Sequence, residues 1–299
     1  MLRACLESLI VQRIPAGWKI GIIVIDNEAK PAAQAIVSEV GEKSALPIIY
    51  AHEPRKGISF ARNRALETAL GLEASWIAFI DDDEVAENNW LSSLIIAAQE
   101  TGADVVHGLT KYDYPAPCLA WMPQKKRRSK KTGDLLDTCS TNNVLFHAGL
   151  INATGLGLRF DESLALTGGE DTDFFYRARD KGAQIVYTTE AIVTESVPEE
   201  RCSYAWRMKR YYRTSANSAR TEMRRKGYWN SFPHLTLKFL RNLSESILLF
   251  LLLPFLIFFY KKSFRQYLYK AGRRLASAMG IIAAYFGRLP KPYMTVDGY

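Results

Sequence analysis

Short apolar runs alternate with helix-like segments along the first third of the chain, and this alternation limits the possible folds more than any other feature. Four runs are rich in β-branched or aromatic residues and have the length of buried strands: Lys19–Asp26, Pro47–His52, Trp76–Ile80 and Asp104–Leu109. The other segments have the apolar spacing of helices: Leu2–Gln12, Pro31–Val40, Gly57–Leu70 and Asn89–Glu100. We therefore predict an α/β fold, with a mostly parallel sheet flanked by helices.

The pattern changes after Tyr112, where a proline-containing segment leads into the basic run Lys125–Lys131. This composition predicts a solvated, mobile loop. Beyond Arg201 the chain becomes helical, basic and aromatic, and Leu243–Tyr260 is its most apolar stretch. We predict an α/β domain over residues 1–225 and a C-terminal helical region over residues 226–299.

Composition excludes a disordered chain and narrows the choice of partners. The 299 residues are 48% hydrophobic and 23% charged, which is ordinary for a globular protein. The net charge of +8 is concentrated at Lys125–Lys131, Arg201–Arg225 and Lys261–Arg274. Such clusters suit nucleic acid, anionic lipid or a phosphorylated substrate. No nucleic-acid motif accompanies them and the last two flank apolar segments, so we predict lipid or pyrophosphate partners and no nucleic acid.

The four cysteines carry no recognisable pattern. Cys5, Cys118, Cys139 and Cys202 are far apart, without metal-ligand or CxxC spacing. We predict that all four are reduced thiols in a cytosolic compartment. The N-terminal MLRACLESLIVQRIP has no continuous apolar core or cleavage site, so it reads as a helix and not as a signal peptide.

Carboxylates stand at the ends of two predicted strands. Asp81, Asp82 and Asp83 directly follow one strand, and Asp26 ends another. Ligands of such sheets bind beyond the carboxyl ends of the strands, so these residues are expected to share a crevice. Adjacent carboxylates repel one another unless a cation compensates them, and hard oxygen ligands favour Mg²⁺ or Mn²⁺. The alternative is an ordinary helix N-terminus with acidic residues and a capping Asp83.

Two further motifs combine glycine with charged residues. Gly168 and Gly169 lead Glu170, Asp171 and Asp173 into a predicted helix. A carboxylate at that position is suited to deprotonating an attacking hydroxyl, although acidic first turns are common in helices of no catalytic role.

The other motif, Arg55-Lys56-Gly57 followed by Ala61-Arg62-Asn63, is a basic loop that opens a helix. Such a loop can hold an anion at the helix N-terminus, or it can be a solvated turn.

In their order and separation, these features resemble family 2 glycosyltransferases, the large inverting group with the GT-A fold. The matching stretches are IIVIDN (Ile22–Asn27), KGISFARNRAL (Lys56–Leu66), IAFIDDDE (Ile77–Glu84), GGEDTDFFYR (Gly168–Arg177) and VPEERCSYAWRMKRYYR (Val197–Arg213). The last stretch and the apolar tail are most similar to the branch that builds bacterial exopolysaccharides such as succinoglycan on a lipid carrier. The resemblance implies a nucleotide-sugar donor, a lipid-pyrophosphate-linked saccharide acceptor and Mn²⁺ or Mg²⁺.

The resemblance also assigns roles to individual positions. It places nucleotide-sugar contacts at Asp26, Arg62, Asn63, Asp81 and Asp82. Asp83 would hold the divalent metal, and Glu195 stands where many relatives carry a histidine of the metal site. Asp171 would be the catalytic base, with Glu170 beside it. In an inverting transfer, one base removes the acceptor proton while the metal stabilises the departing diphosphate.

One departure from the family pattern keeps other functions open. Family members usually begin with a strand bearing a Pro-Thr-Tyr-Asn-like motif, whereas this chain begins at the helix that follows it. The first alternative is therefore an inactive truncated paralogue that binds membrane or partners. A nucleotidyltransferase is a second alternative, but no glycine-rich phosphate loop is visible. A basic nucleic-acid binder comes last.

The tail has two apolar stretches with basic flanks. Ile247–Tyr260 is shorter than the roughly 20 residues of a straight spanning helix, and Leu275–Gly287 is weaker. Positive charge on every flank predicts that the flanks stay cytoplasmic. We expect a re-entrant or interfacial hairpin on the cytoplasmic face of a membrane. The alternative is a pair of core helices.

Overall fold

A computed structural model describes residues 1–119, 130–259, 261–291 and 294. The chain divides into two compact units. The sheet unit comprises Met1–Asp113, Arg128–Ser196 and Pro292–Tyr299, and the helical unit comprises Tyr114–Arg127 and Val197–Lys291. The predicted mobile loop at Lys125–Lys131 lies largely outside the described residues.

The described helices and strands are named here in chain order. They are α1 (Leu2–Leu9), β1 (Ile22–Asp26), α2 (Gln34–Gly41), β2 (Ile48–His52), α3 (Ile58–Gly71), β3 (Trp76–Ile80), β4 (Glu84–Ala86), α4 (Trp90–Thr101), β5 (Val105–Asp113), α5 (Ala116–Leu119), β6 (Asn143–His147), α6 (Glu170–Asp180), β7 (Ile185–Ser196), α7 (Tyr204–Lys226), α8 (Tyr228–Phe259) and α9 (Lys261–Tyr285). The units divide at Ser196 and Val197, upstream of the predicted boundary at residue 225. The reason is that α7 packs along α8 and α9.

The strands form two sheets. One is the parallel pair β1–β2, and the other has the order β3-β6-β5-β7-β4. The prediction of a mostly parallel sheet is wrong for the larger sheet. Among its described strands only β5–β7 is parallel, while β3–β6, β5–β6 and β4–β7 are antiparallel. A parallel neighbour needs a long crossover connection, usually a helix. β6 lies between β3 and β5 and is antiparallel to both, so it is not part of such a crossover unit.

Packed apolar clusters cover both faces of the larger sheet. One cluster is built on Phe146, Phe174 and Phe175, which join β6 to α6. The other is built on Trp90 and Leu94 of α4 against strand residues. Burial of such large side chains stabilises by about 1.5–3 kcal/mol each, so α3, α4 and α6 are fixed relative to the strand ends that carry the candidate site.

The helical unit consists of α7, α8 and α9, with the short α5 near its start. Cys118 and Cys202 form a disulfide in this unit. The prediction of four reduced thiols is therefore wrong for this pair. The two cysteines are 84 residues apart in sequence, so their spacing gave no signal. Cys5 and Cys139 are free and buried.

The predicted tail helices form, as α8 and α9. Over residues 1–119, 130–259, 261–291 and 294, none of the helices has both the length and the apolarity required to cross a bilayer.

Candidate active site

Helix α3 begins at a glycine that no other residue can replace easily. Gly57 has φ of 137°, outside the range that L side chains favour. A Cβ at this position would lie 2.7 Å from the Cβ of Ala165. The Gly57 amide also donates to Asn27 Oδ1 at 3.1 Å, which ties the start of α3 to the end of β1. This close packing directs the first turns of α3, including Arg62, toward the strand ends.

Arg62 joins two of the predicted motifs. Its guanidinium forms an ion pair and a short hydrogen bond with Glu170 Oε1, at the start of α6. It also lies 3.9 Å from Asp81 Oδ1, at the end of β3. The side chains of Arg62 and Glu170 are 11% and 3% exposed, so their attraction is screened little by solvent. Motifs widely separated in sequence therefore meet at one arginine.

The acidic start of α6 contributes two carboxylates of different character. Gly168 and Gly169 precede the helix with φ of 78° and 90°, a left-handed turn that turns the chain sharply into α6. Glu170 is buried, and its Oε2 has no hydrogen-bond partner among the described residues. Burial raises the pKa of Glu170, Arg62 opposes that effect and Asp171 adds to it. Glu170 is thus an acceptor that needs a donor in the crevice.

Asp171 is half-buried and differs from Glu170 in its contacts. Its Oδ1 accepts hydrogen bonds from the Thr172 amide at 2.6 Å and the Thr172 hydroxyl at 3.3 Å. Its charge acts on Asp81, Glu170 and the buried Cys139. The orientation of this carboxylate is fixed through one oxygen, and it lies within electrostatic reach of the aspartate run.

The aspartate run follows β3 directly, as predicted. Burial raises the pKa of Asp81 to about 6, while Arg62 opposes the shift and Asp83, Asp82 and Asp171 increase it. Since 45% of the Asp81 side chain is exposed, solvent screens much of this effect. The run also acts on Cys5, whose pKa is raised to about 12, first by burial and then by the surrounding carboxylates. The neighbouring carboxylates therefore repel one another, and Arg62 offsets part of that repulsion at Asp81.

Glu84 accepts a hydrogen bond from the backbone of the aspartate run, a role that was not predicted from the sequence. It is 1% exposed, accepts from Asn142 Nδ2 at 2.6 Å and lies 3.3 Å from the Asp81 amide. Burial raises its pKa to about 9, and the charges of Asp81 and Asp83 add to the increase. The only signal in the sequence was a fourth acidic residue after the three aspartates, at the start of a strand too short to predict.

Asp26 lies at the end of β1, but the protein itself satisfies its carboxylate. It accepts from the amides of Glu28, Ala32 and Ala33 and from the Tyr50 hydroxyl. Burial alone would raise the pKa of Asp26, yet these hydrogen bonds outweigh burial and lower it. Asp26 therefore orders the loop into α2, and its predicted contact with a nucleotide base stays a prediction.

Asn63 is also committed to the protein. Its Nδ2 donates to the Phe160 carbonyl at 2.9 Å, and its Oδ1 accepts from the Phe160 amide at 2.8 Å. The buried side chain thus fixes α3, and with it Arg62, against the segment that leads to α6.

The residues predicted to hold a metal are neighbours in the fold. In the β4–β7 pair Glu195 is opposite Glu84, the residue after Asp83. Among the described residues no group of three His, Cys, Asp or Glu side chains is arranged to hold a metal ion. The chemistry of the carboxylates fits a hard cation that is shared with a ligand, because Mg²⁺ is commonly bound by one or two carboxylates together with substrate phosphates.

Carboxylates at the end of β3 and at the start of α6 thus meet at one arginine, Arg62. The sequence comparisons name the family. The model of Glycosyl transferase family 2 matches residues 1–155. The succinoglycan biosynthesis protein ExoM of Rhizobium meliloti is 35% identical over 223 residues, which cover 73% of this chain and 70% of that protein. The chain belongs to glycosyltransferase family 2.

More distant similarities agree with the fold. The glycosyltransferase AglE of Haloferax volcanii is 24% identical over 64% of this chain and 61% of its own length. The crystal structure of S. aureus TarS 1–349 with UDP-GlcNAc matches at a TM-score of 0.52 and 20% identity, over 74% of this chain and 62% of that chain. GalNAc-T7 with UDP, GalNAc and Mn²⁺ matches at a TM-score of 0.51 and 15% identity, over 73% and 44%. The predicted GT-A-like α/β fold is thereby confirmed.

Proposed function

We propose that the sheet unit transfers a sugar, with inversion, from a nucleotide-sugar donor to a saccharide acceptor carried on a lipid pyrophosphate. The observation that supports this most is the meeting of Asp81, Arg62 and Glu170, with Asp171 within electrostatic reach. The names of relatives add to the proposal. The succinoglycan biosynthesis protein points to exopolysaccharide synthesis, and UDP-GlcNAc in the TarS complex points to a nucleotide sugar.

In this proposal Asp171 is the general base. Its carboxylate takes the proton of the acceptor hydroxyl as the oxygen attacks the anomeric carbon. The bond between that carbon and the diphosphate oxygen breaks, and the electron pair leaves with the nucleoside diphosphate. The fixed orientation of Asp171 through Thr172 suits this role, because a general base has to be in place before the proton moves.

Glu170 and Arg62 position the ligand. The orphan Oε2 of Glu170 is suited to accept a hydrogen bond from a sugar hydroxyl. Arg62 pairs with both Glu170 and Asp81, so its positive charge reduces the repulsion between the buried Glu170 and the aspartate run. Asp81 and Asp82 contact the nucleotide sugar in our proposal.

Asp83 and Glu195 would hold Mn²⁺ or Mg²⁺, together with oxygens of the diphosphate. When bound, such a cation stabilises the negative charge that develops on the leaving diphosphate. Burial is the main cause of the raised pKa values of Asp81 and Cys5, but the neighbouring carboxylates add to both, and such mutual repulsion is relieved by a cation.

The helical unit is proposed to keep the enzyme at the cytoplasmic face of a membrane, where a lipid-linked acceptor is presented. Large apolar side chains of α8 are exposed at helical spacing, and they are Leu237, Leu240, Leu248, Leu251 and Phe255. An exposed apolar stripe on a helix with basic neighbours suits the interfacial region of a bilayer.

A hydrolysis screen of nucleotide sugars, with Mn²⁺ or Mg²⁺ and with EDTA as the control, tests the proposed function. We expect metal-dependent release of the nucleoside diphosphate from at least one donor, and release of a product with inverted anomeric configuration when a lipid-linked acceptor is added. Hydrolysis that EDTA leaves unchanged would contradict the metal site. A folded protein that binds and cleaves no donor would instead favour the inactive alternative.

A further inference from the structure

The helical unit contains a polar pocket that the proposed chemistry does not use. Its volume is about 340 Å³, within the usual size range of ligand sites. Side chains of α7, α8 and α9 line it. No residue of the sheet unit's site belongs to this lining.

The charged residues that line the pocket are all positive. Lys238 and Arg241 come from α8, and Arg273 and Arg274 come from α9. One carboxylate is close, Glu245, which pairs with Arg274 at 2.6 Å. Within the described part of the chain, no carboxylate forms an ion pair with Lys238, Arg241 or Arg273. Cations gathered so closely repel one another unless an anion lies between them.

The remaining lining is polar and holds the arginines in place. Asn242 Oδ1 accepts from Arg274 at 2.9 Å, so this guanidinium is held on two sides. Arg273 lies over the Tyr211 ring at 5.8 Å. Ser215 donates to the Ser277 carbonyl at 2.7 Å, which ties α7 to α9 at the pocket. Arginines held in a fixed orientation are the usual bidentate donors to phosphate oxygens.

The pocket borders the exposed apolar stripe of α8. Successive residues of an α-helix differ by about 100° around the axis. Leu237, Leu240, Leu248 and Leu251 fall on one face, and the pocket residues Lys238 and Arg241 fall beside it. A ligand with a phosphate in the pocket can therefore place an apolar portion along the stripe.

We propose that this pocket binds a phosphate or pyrophosphate group, either free in solution or on the headgroup of an anionic lipid. The inference is independent of glycosyl transfer, since it rests only on the cations that line the pocket and on the volume of the pocket.

Calorimetric titration of the full chain with inorganic pyrophosphate, in EDTA, tests the pocket. EDTA removes divalent metal, so the metal-dependent site of the sheet unit does not contribute. We expect saturable binding that weakens at least tenfold in Arg273→Gln and in Arg241→Gln. The matched control is Arg265→Gln, which removes the same charge from an exposed position of α9 and should bind like the unmodified protein.

A second arm distinguishes the two sources of phosphate. Co-sedimentation is measured with vesicles of equimolar phosphatidylglycerol and phosphatidylcholine. If Arg273→Gln and Arg241→Gln reduce vesicle binding several-fold more than Arg265→Gln, the ligand is a lipid headgroup. If they weaken only pyrophosphate binding, the ligand is free phosphate or pyrophosphate. If all three variants behave alike in both arms, the pocket has no role in binding phosphate and the inference is wrong. These measurements use no donor sugar, so their outcome does not depend on whether the proposed function is correct.

Discussion

The two units each hold a cluster of like charges, with opposite signs. In the sheet unit, the carboxylates of Asp81 and Glu170 pair with Arg62, and Asp171 lies within electrostatic reach of both carboxylates. In the helical unit, four cations line one pocket, and one of them, Arg274, pairs with a carboxylate. Like charges this close destabilise the folded protein unless opposite charges compensate them. In each cluster the protein itself supplies part of the opposite charge.

This difference shows how one chain can separate two kinds of recognition. In our proposals, the negative crevice would bind a metal together with a diphosphate, whereas the positive pocket would bind phosphate directly. Only the first is therefore expected to respond to metal removal. EDTA should abolish nucleotide binding by the sheet unit and leave phosphate binding by the helical unit intact.

The largest expected effect is at Asp83. Asp83→Asn should abolish metal-dependent binding of the nucleotide sugar, because an amide is a poor substitute for a carboxylate as ligand to a hard cation. Calorimetry with the donor and Mn²⁺ measures this, and Asp180→Asn, which changes an exposed aspartate at the end of α6, is the control. Unchanged metal-dependent affinity in Asp83→Asn would remove Asp83 from the metal site. Pyrophosphate binding in EDTA should be the same in both variants.

Arg62→Gln is expected to have the next largest effect. It leaves the buried Glu170 without its cation, which typically costs about 3–5 kcal/mol in the free energy of unfolding. Arg64→Gln, two residues along α3, breaks only an exposed pair with Glu67 and should cost about 0–1 kcal/mol. Urea unfolding of both variants provides the measurement.

The deficit of Arg62→Gln should depend on pH. The pKa of Glu170 in the folded state is raised, so the stability linked to its protonated form is present below its ordinary pKa and lost as pH rises through the raised one. Without Arg62 the raised pKa increases further. The deficit should therefore shrink toward about pH 5 and grow as the pH rises through the raised pKa. Equal deficits in Arg62→Gln and Arg64→Gln would show that the buried pair does not organise the site.

Asp26→Asn should cost less, about 1–3 kcal/mol at pH 7, through its lost charge-assisted hydrogen bonds. The pKa of Asp26 is lowered in the folded state, so its contribution is present above the ordinary pKa and is lost as pH falls through the lowered one. The deficit should therefore shrink in strong acid. Tyr50→Phe, which removes one donor, should cost about 0.5–1.5 kcal/mol. If Asp26→Asn instead lowers donor affinity and leaves the free energy of unfolding unchanged, Asp26 contacts the nucleotide directly.

Local features of the site were predictable from the sequence because they depend on neighbours along the chain. The strand Trp76–Ile80 and the aspartates after it follow from one apolar run and its end. The start of α6 follows from two glycines before acidic residues.

Features that depend on distant partners were not predictable. The 12-residue strand β7 is interrupted by threonines and glutamates along its length, and β4 has only three residues, so neither gives a clear period. The antiparallel insertion of β6 and the disulfide between Cys118 and Cys202 join segments with no common local signal. The bridge from Arg62 to Glu170 spans 108 residues and depends on the packing of α3 against the segment before α6.

The most direct test of glycosyl transfer in the sheet unit compares Asp171→Asn with Glu170→Gln. Turnover is measured at saturating donor and metal, with nucleotide affinity measured on the same samples. We expect Asp171→Asn to bind donor and metal normally and to lose about 10²–10⁴-fold in turnover, the usual contribution of a general base. Glu170→Gln should lose less, because Glu170 positions the ligand. Near-full turnover of Asp171→Asn, with an inactive Glu170→Gln, would contradict the account and assign the proton transfer to Glu170.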